Sequence, residues 1–198
     1  MDQERANPMT TAMPVLETER LTIRPFELND LDDAHRILDL EAKMGEYSLE
    51  GRRQWLEWTV RNYEELAKMY QPPMGDRAIV LRAENRLIGA VGLVPALGPF
   101  GLLPSFQNGG KPTTRFTSEL GMFWALGNDY LGKGYATEAA RALIDYAFGT
   151  MNMARIVATT EHDNKASQAV MRRLGMRIET NPLPELPWFQ VVGILTRD

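Results

Sequence analysis

Leu131-Gly132-Lys133-Gly134-Tyr135-Ala136-Thr137-Glu138 joins a strand-like run, Glu119 to Leu126, to the most regular helix of the chain. In that helix Ala136, Ala139, Ala140, Leu143, Ile144 and Ala147 recur at i, i+3, i+4, i+7, i+8 and i+11, an apolar stripe at the helical period. Gly132 and Gly134 allow backbone conformations that other residues avoid and let a ligand approach closely. The first helical turn after them has N–H groups without intrahelical partners, and the helix dipole adds partial positive charge. Such a junction suits an anion, typically a phosphate or pyrophosphate, and Lys133 adds a positive charge beside it.

Three readings compete. The junction is a tight turn that only reverses the chain, a nucleotide loop, or the pyrophosphate site of another cofactor. Gly127 to Lys133 satisfies GxxxxGK, but Gly134 stands where a P-loop needs Ser or Thr for magnesium. A dinucleotide fingerprint fails because Thr137 replaces the third glycine of GxGxxG. The pyrophosphate of another cofactor remains open as the ligand reading.

Towards the N-terminus, Arg20 to Pro25 alternates as a strand, and a helix with Leu31, Ala34, Ile37 and Leu38 on one face follows Asn29 or Asp30. A longer helix covers Arg52 to Tyr70 and stops before Pro72-Pro73. Arg77 to Arg82 and Leu87 to Val94 read as a hairpin, followed by a long loop over residues 95–116 rich in Gly, Pro, Ser and Asn. Beyond the central helix come a strand at Arg155 to Thr159, a helix from Lys165 to Leu174 capped by Gly175, and a closing strand from Trp188 to Thr196. This order predicts one α/β (α+β) domain over residues 15–198, built around a single sheet, with residues 1–14 as a flexible tail.

Composition removes several functions. The 198 residues contain no cysteine and two histidines, His35 and His162, so thiolate nucleophiles, disulfides and a histidine-rich metal cluster are excluded. No metal is expected. A net charge of −4 argues against nucleic acid as a partner and mildly favours a cationic substrate. No apolar run reaches the roughly 20 residues of a membrane span, so no membrane partner is expected and the cytoplasm is the expected location.

Gly132 to Ala139 resembles the acetyl-CoA signature of the GNAT acetyltransferases, above all their RimJ/RimL-like branch. Gly134 and Ala136 match the last two fixed positions of [QR]-x-x-G-x-[GA], while Leu131 stands at the Gln or Arg position. Asn164-Lys165-Ala166-Ser167-Gln168-Ala169-Val170-Met171-Arg172-Arg173-Leu174-Gly175-Met176 is similar to the family's N-x-A-S-x-x-V-x-x-x-L-G-F segment, departing only at Met176. Leu16 to Pro25 also resembles the first strand of that branch, so the likeness covers nearly the whole chain. Ala166, Ala169, Val170 and Leu174 are equally accounted for as a helix core face, and Asn164 as an N-cap.

The resemblance implies a mixed, mostly antiparallel sheet splayed between the fourth and fifth strands, with helices on both faces and acetyl-CoA as acyl donor in the gap. It implies that Trp124, Ala125 and Leu126 offer backbone groups to the pantetheine arm and thioester. Leu131, Gly132, Lys133, Gly134, Tyr135, Ala136 and Thr137 would hold the pyrophosphate, and Asn164 the pantetheine. The resemblance further implies that the amine attacks the thioester directly in a ternary complex. A lysine-type amine, with pKa near ~10.4, is almost wholly protonated at pH 7 and needs a base. Glu119 is the candidate base, and a plain surface carboxylate is the competing reading; Ser167 is the candidate proton source for the leaving thiolate. Tyr130 and Tyr135 are weaker alternatives, and the helix dipole accounts for Glu138.

The resemblance implies that the acceptor is a primary amine, either a protein N-terminus or a small molecule, and no motif decides which. Phe100, Leu102, Leu103 and Phe106 make the 95–116 loop a candidate cover for the acceptor side, though a homodimer interface would demand the same residues. A non-catalytic acyl-CoA-binding or regulatory module on the same fold is the alternative function.

Overall fold

The structure, a computed structural model, describes residues 12–45, 47–107, 109–183 and 185–197. One eight-stranded sheet runs in the order β1-β2-β3-β4-β5-β6-β8-β7. The strands are β1 (Leu16–Glu17), β2 (Leu21–Pro25), β3 (Gly75–Leu81), β4 (Arg86–Gly98), β5 (Thr117–Leu126), β6 (Arg155–Thr160), β7 (Arg177–Thr180) and β8 (Val191–Thr196). The helices are α1 (Leu31–Ala34), continued as a π-helix over His35–Glu41, α2 (Leu49–Lys68), α3 (Tyr135–Gly149) and α4 (Lys165–Arg173).

The β3–β4 hairpin turns where expected, with Asn85 at φ 47° in the left-handed region that asparagine tolerates. Ser48 caps α2 by accepting from the Gly51 N–H, and Asn164 caps α4 by accepting from the Ser167 N–H. α4 ends in a Schellman-type closure: Gly175 is at φ 83°, and the Met176 N–H donates to the Met171 carbonyl.

Two apolar layers cover the sheet. Phe26, Leu31, Ile37 and Leu56 from the α1–α2 side pack on Ala78, Val80 and Ala90. Ala139, Leu143, Ile144 and Met171 from α3 and α4 pack on the opposite face, against Ile23, Ile79, Val91 and Met122. Antiparallel pairing holds throughout except between β5 and β6, which run parallel and share a single registered pair, Gly121 with Val157. Beyond that pair towards Leu126 the two strands part, while β5 stays paired to β4 along the whole length of β5. The splay expected between the fourth and fifth strands therefore lies between β5 and β6, the two-residue β1 having shifted the count.

Four expectations need correction. Pro95 to Gly98 belong to β4 and pair with Leu120 to Thr117, so the loop is shorter than residues 95–116. Phe100 and Leu103 within it are fully buried against Phe189, Val157, Val192 and Ile194, because this patch of sheet has no helix to cover it. The closing strand starts at Val191, as Pro187–Phe189 forms a 3-10 turn, and β7 was not foreseen. Of the expected tail, residues 1–11 lie outside the described residues, and Met13 is packed in the core.

Among the described residues no helix is long and apolar enough to cross a membrane, and no cluster of three His, Asp or Glu side chains suits a metal ion.

Candidate active site

Gly132 and Gly134 have φ of 72° and 86°, so both occupy the left-handed region where a side chain is strained. This turns the chain into α3 with no side-chain cap at its start. Among the described residues, the N–H groups from Gly132 to Thr137 find no backbone acceptor, and the first helical bond is Glu138 N–H to Gly134 carbonyl at 3.0 Å. The Thr137 Oγ1 is buried and also has no partner. A cradle of unpaired donors at a helix start is the arrangement that binds a diphosphate.

Glu138 braces this cradle, a role beyond the dipole. Its carboxylate accepts from Thr18 Oγ1 (2.6 Å), the Arg20 N–H (2.9 Å) and Arg20 Nε (2.7 Å). Arg20 in turn donates to the Lys133 carbonyl. Burial disfavours the Glu138 charge, but the bonds from Thr18 and Arg20 outweigh it and hold the carboxyl below its usual range.

The cradle opens into a cavity of about 520 Å³. Ten of the residues singled out in the sequence line it: Trp124, Ala125, Leu126, Leu131, Gly132, Gly134, Ala136, Thr137, Asn164 and Ser167. The diverging β5–β6 seam leaves backbone groups of Trp124 to Leu126 without a strand partner on that side. Lys133 and Tyr135 do not line the cavity. Lys133 is exposed with Nζ over the Tyr130 ring, and Tyr135 packs under the Arg20 guanidinium at 4.5 Å. The Asn164 side-chain oxygen is engaged as the α4 cap.

Sequence reasoning missed Glu41, Met44 and Arg173, which also line the cavity. Arg173 follows Ala166 and Val170 at helical spacing, a signal that was present. Glu41 arrives from the π-helix, where its carboxylate accepts from the Asn128 N–H, and nothing local announces it.

Glu119 lies elsewhere. It sits two residues before the Gly121–Val157 pair, on the far side of that pair from Leu126, in a groove with Leu120, Met153 and Arg155. Its carboxylate accepts from Arg155 Nε and Nη2, and the Arg155 guanidinium stacks on Phe106 at 4.2 Å.

A second cavity, of about 360 Å³, lies between α2 and the sheet and shares Met44 with the first. Tyr47, Trp55 and Phe123 wall it, and Asp76 opens into it. Beside it Asp39 accepts from Arg52, His35 and the Tyr47 N–H; burial opposes its charge, but these bonds keep the carboxyl below its usual range.

Residues 20–177 match the family described as acetyltransferase (GNAT) domain. The chain is 31% identical over 168 residues to the uncharacterized N-acetyltransferase YnaD of Bacillus subtilis, covering 83% of each. It is 26% identical over 160 residues to spermidine N(1)-acetyltransferase of Escherichia coli, covering 79% of this chain and 73% of the relative. Among solved structures, the ribosomal-protein-S5-alanine acetyltransferase of Vibrio fischeri superposes with a TM-score of 0.66 at 18% identity, over 94% of this chain and 98% of that one, a likeness of fold.

Proposed function

The chain belongs to the GNAT acetyltransferase family, and we propose that it transfers an acetyl group from acetyl-CoA directly to a primary amine within a ternary complex. One observation carries this reading: the unpaired donors of Gly132 to Thr137 and the parted strands β5 and β6 open into the same cavity. The residues fit the donor. The amides of Gly132 to Thr137 and the orphaned Thr137 hydroxyl suit a diphosphate, Arg173 adds a positive charge at the rim, and Trp124 to Leu126 suit an amide-bearing arm. When bound, acetyl-CoA supplies a thioester carbonyl open to attack.

The chain's own contribution is orientation and proton handling. Backbone N–H groups of β5 that face the seam are the donors available to a developing oxyanion. Ser167 Oγ, half-buried on the cavity wall, is proposed to protonate the leaving thiolate. Glu119 is proposed as the base. Its pairing with Arg155 and its place two residues before the strand bridge require it to act through water.

The RimJ/RimL-like branch and a cytoplasmic location remain part of this proposal, as does a single catalytic domain from residue 15 onward. The first test is a thermal-shift comparison of acetyl-CoA, CoA and ATP, followed by an acetylation screen over mixed amines. Stabilisation by ATP alone would return the site to the nucleotide reading. Tight acetyl-CoA binding without turnover of any amine would favour the non-catalytic module.

A further inference from the structure

Asp76, Gly92 and Phe123 stand in one row across the sheet, since Asp76 pairs with Gly92 on β4 and Gly92 pairs with Phe123 on β5. Asp76 shares its face with Ala78, which packs under α2, so it projects into the second cavity. Glycine is required at the centre of the row: a Cβ on Gly92 would stand 2.3 Å from the Phe123 ring, which therefore lies over the strand as part of the cavity floor. Leu38, Trp55, Val94 and Phe123 make the cavity mostly apolar.

Among the described residues no group bonds the Asp76 carboxylate. Arg52 is the cation beside it, but Arg52 is committed: Nε and Nη2 donate to Asp39 at 2.8 and 2.7 Å, and Nη2 also reaches the Met44 carbonyl. Its guanidinium is stacked on Trp55 and Tyr47. His35 is likewise turned to Asp39. Arg77 projects to the other face, towards the Met13 sulfur and the Pro73 carbonyl, and its Nη1 is buried without a partner. Arg52 and Asp39 pair with each other, and Arg77, the other cation that acts on Asp76, projects to the opposite face of β3, so inside the apolar chamber the Asp76 carboxylate has no bonded counter-cation, an arrangement that is costly. Burial raises the Asp76 carboxyl to about 6, so it is still ionised at neutral pH.

From this arrangement we propose that Asp76 anchors a second, non-reacting ammonium group of the acceptor, which makes the acceptor an aliphatic diamine or longer polyamine. The inference rests on acetyl transfer at the β5–β6 seam for the reacting end. β3 and β5 are two strand spacings apart, about 10 Å, so an ammonium held at Asp76 is too far from the seam to be the attacking nitrogen. A chain of roughly six methylenes between two nitrogens spans a comparable distance. Such a chain matches apolar walls between two polar ends.

The experiment compares 1,6-diaminohexane with n-hexylamine on the wild-type chain and on Asp76→Asn. Binding is measured by calorimetry on CoA-saturated protein and turnover with acetyl-CoA. The wild type is expected to bind the diamine at least about tenfold tighter than the monoamine, and Asp76→Asn to erase that preference, with the loss in turnover falling on KM rather than kcat. Asp76 makes no side-chain hydrogen bond in the fold, and the wild-type comparison stands whatever that variant does. Equal binding of the two amines by the wild type, or the same preference in Asp76→Asn, overturns the inference. Asp76-dependent diamine binding with no acetylation of either amine would leave it standing while sinking the transfer reading. Equal acetylation of both amines would do the reverse.

Discussion

Glu119 and Arg155 face each other across the β5–β6 seam, Arg155 donating from Nε at 2.9 Å and from Nη2 at 2.6 Å to the two carboxylate oxygens. A fork-to-fork pair of this kind fixes two strands that share only one registered backbone pair. It takes up one lone pair on each carboxylate oxygen and leaves the others for a proton. Glu119→Gln and Arg155→Gln should each lower stability by roughly 1–2 kcal/mol, and the double variant by much less than the sum. If Glu119 is the base, Glu119→Gln also lowers turnover about 10²–10⁴-fold at pH 7, with partial recovery at higher pH. Turnover within about twofold of wild type from pH 6 to 9 takes that role away and leaves the pair a structural clamp.

The cradle makes a two-part prediction at Gly134. At φ 86° an alanine is strained by about 1–2 kcal/mol, so Gly134→Ala should lower the melting temperature with a modest loss of affinity. Gly134→Asp adds a negative charge beside the diphosphate position and should abolish measurable acetyl-CoA binding in a folded protein. Calorimetry that found the Asp variant binding normally would remove the diphosphate from this turn.

Thr137 separates stability from binding. Its hydroxyl is buried and unpartnered in the free protein, so the isosteric Thr137→Val should leave stability unchanged or raise it. The same change removes a donor to an anion, worth about 1.5 kcal/mol, or roughly tenfold in acetyl-CoA affinity. A variant less stable yet equally good at binding would contradict both halves.

Glu138 gives a pH signature. Its carboxyl is held below the usual range by Thr18 and Arg20, against the opposing effect of burial. The folded state therefore favours the ionised form, and the stabilisation is full above the unfolded carboxyl pKa and lost as pH falls through the lower folded value. Glu138→Gln should be less stable than wild type at pH 7, with the gap closing below about pH 4. Denaturant titrations from pH 7 to 3 would show it, and a gap that widens on acidification would reverse the assignment.

Phe100 and Phe189 meet edge to face at 5.1 Å, and Phe100 is fully buried. A free lid would be removable; this segment is part of the core. Phe100→Ala should cost about 3–5 kcal/mol, and replacing residues 98–113 by a short Gly/Ser linker should destabilise the fold more than it alters acceptor kinetics. A linker variant with wild-type stability and a raised acceptor KM would restore the lid.

What the amino-acid order determined by itself was local. The apolar stripe of α3, the cap of α4, the two left-handed glycines and the polar hairpin turn all depend on residues within a turn or two of one another, where backbone sterics and side-chain period act directly. That was sufficient for most of the elements and for the cradle; the splayed sheet and the donor cavity, which joins residues 124–137 to residues 164–173, were legible only through the resemblance to a known family. The partners of Glu119, the burial of Phe100 under Phe189, the arrival of Glu41 from a π-helix and the isolation of Asp76 were decided by the tertiary structure alone. Each depends on strand order and register: which residue stands opposite which across the sheet is set by the summed packing of both faces, and one residue of slip would turn Asp76 to the other side. Periodicity shows that a strand has two faces, but only the assembled sheet determines what each face meets.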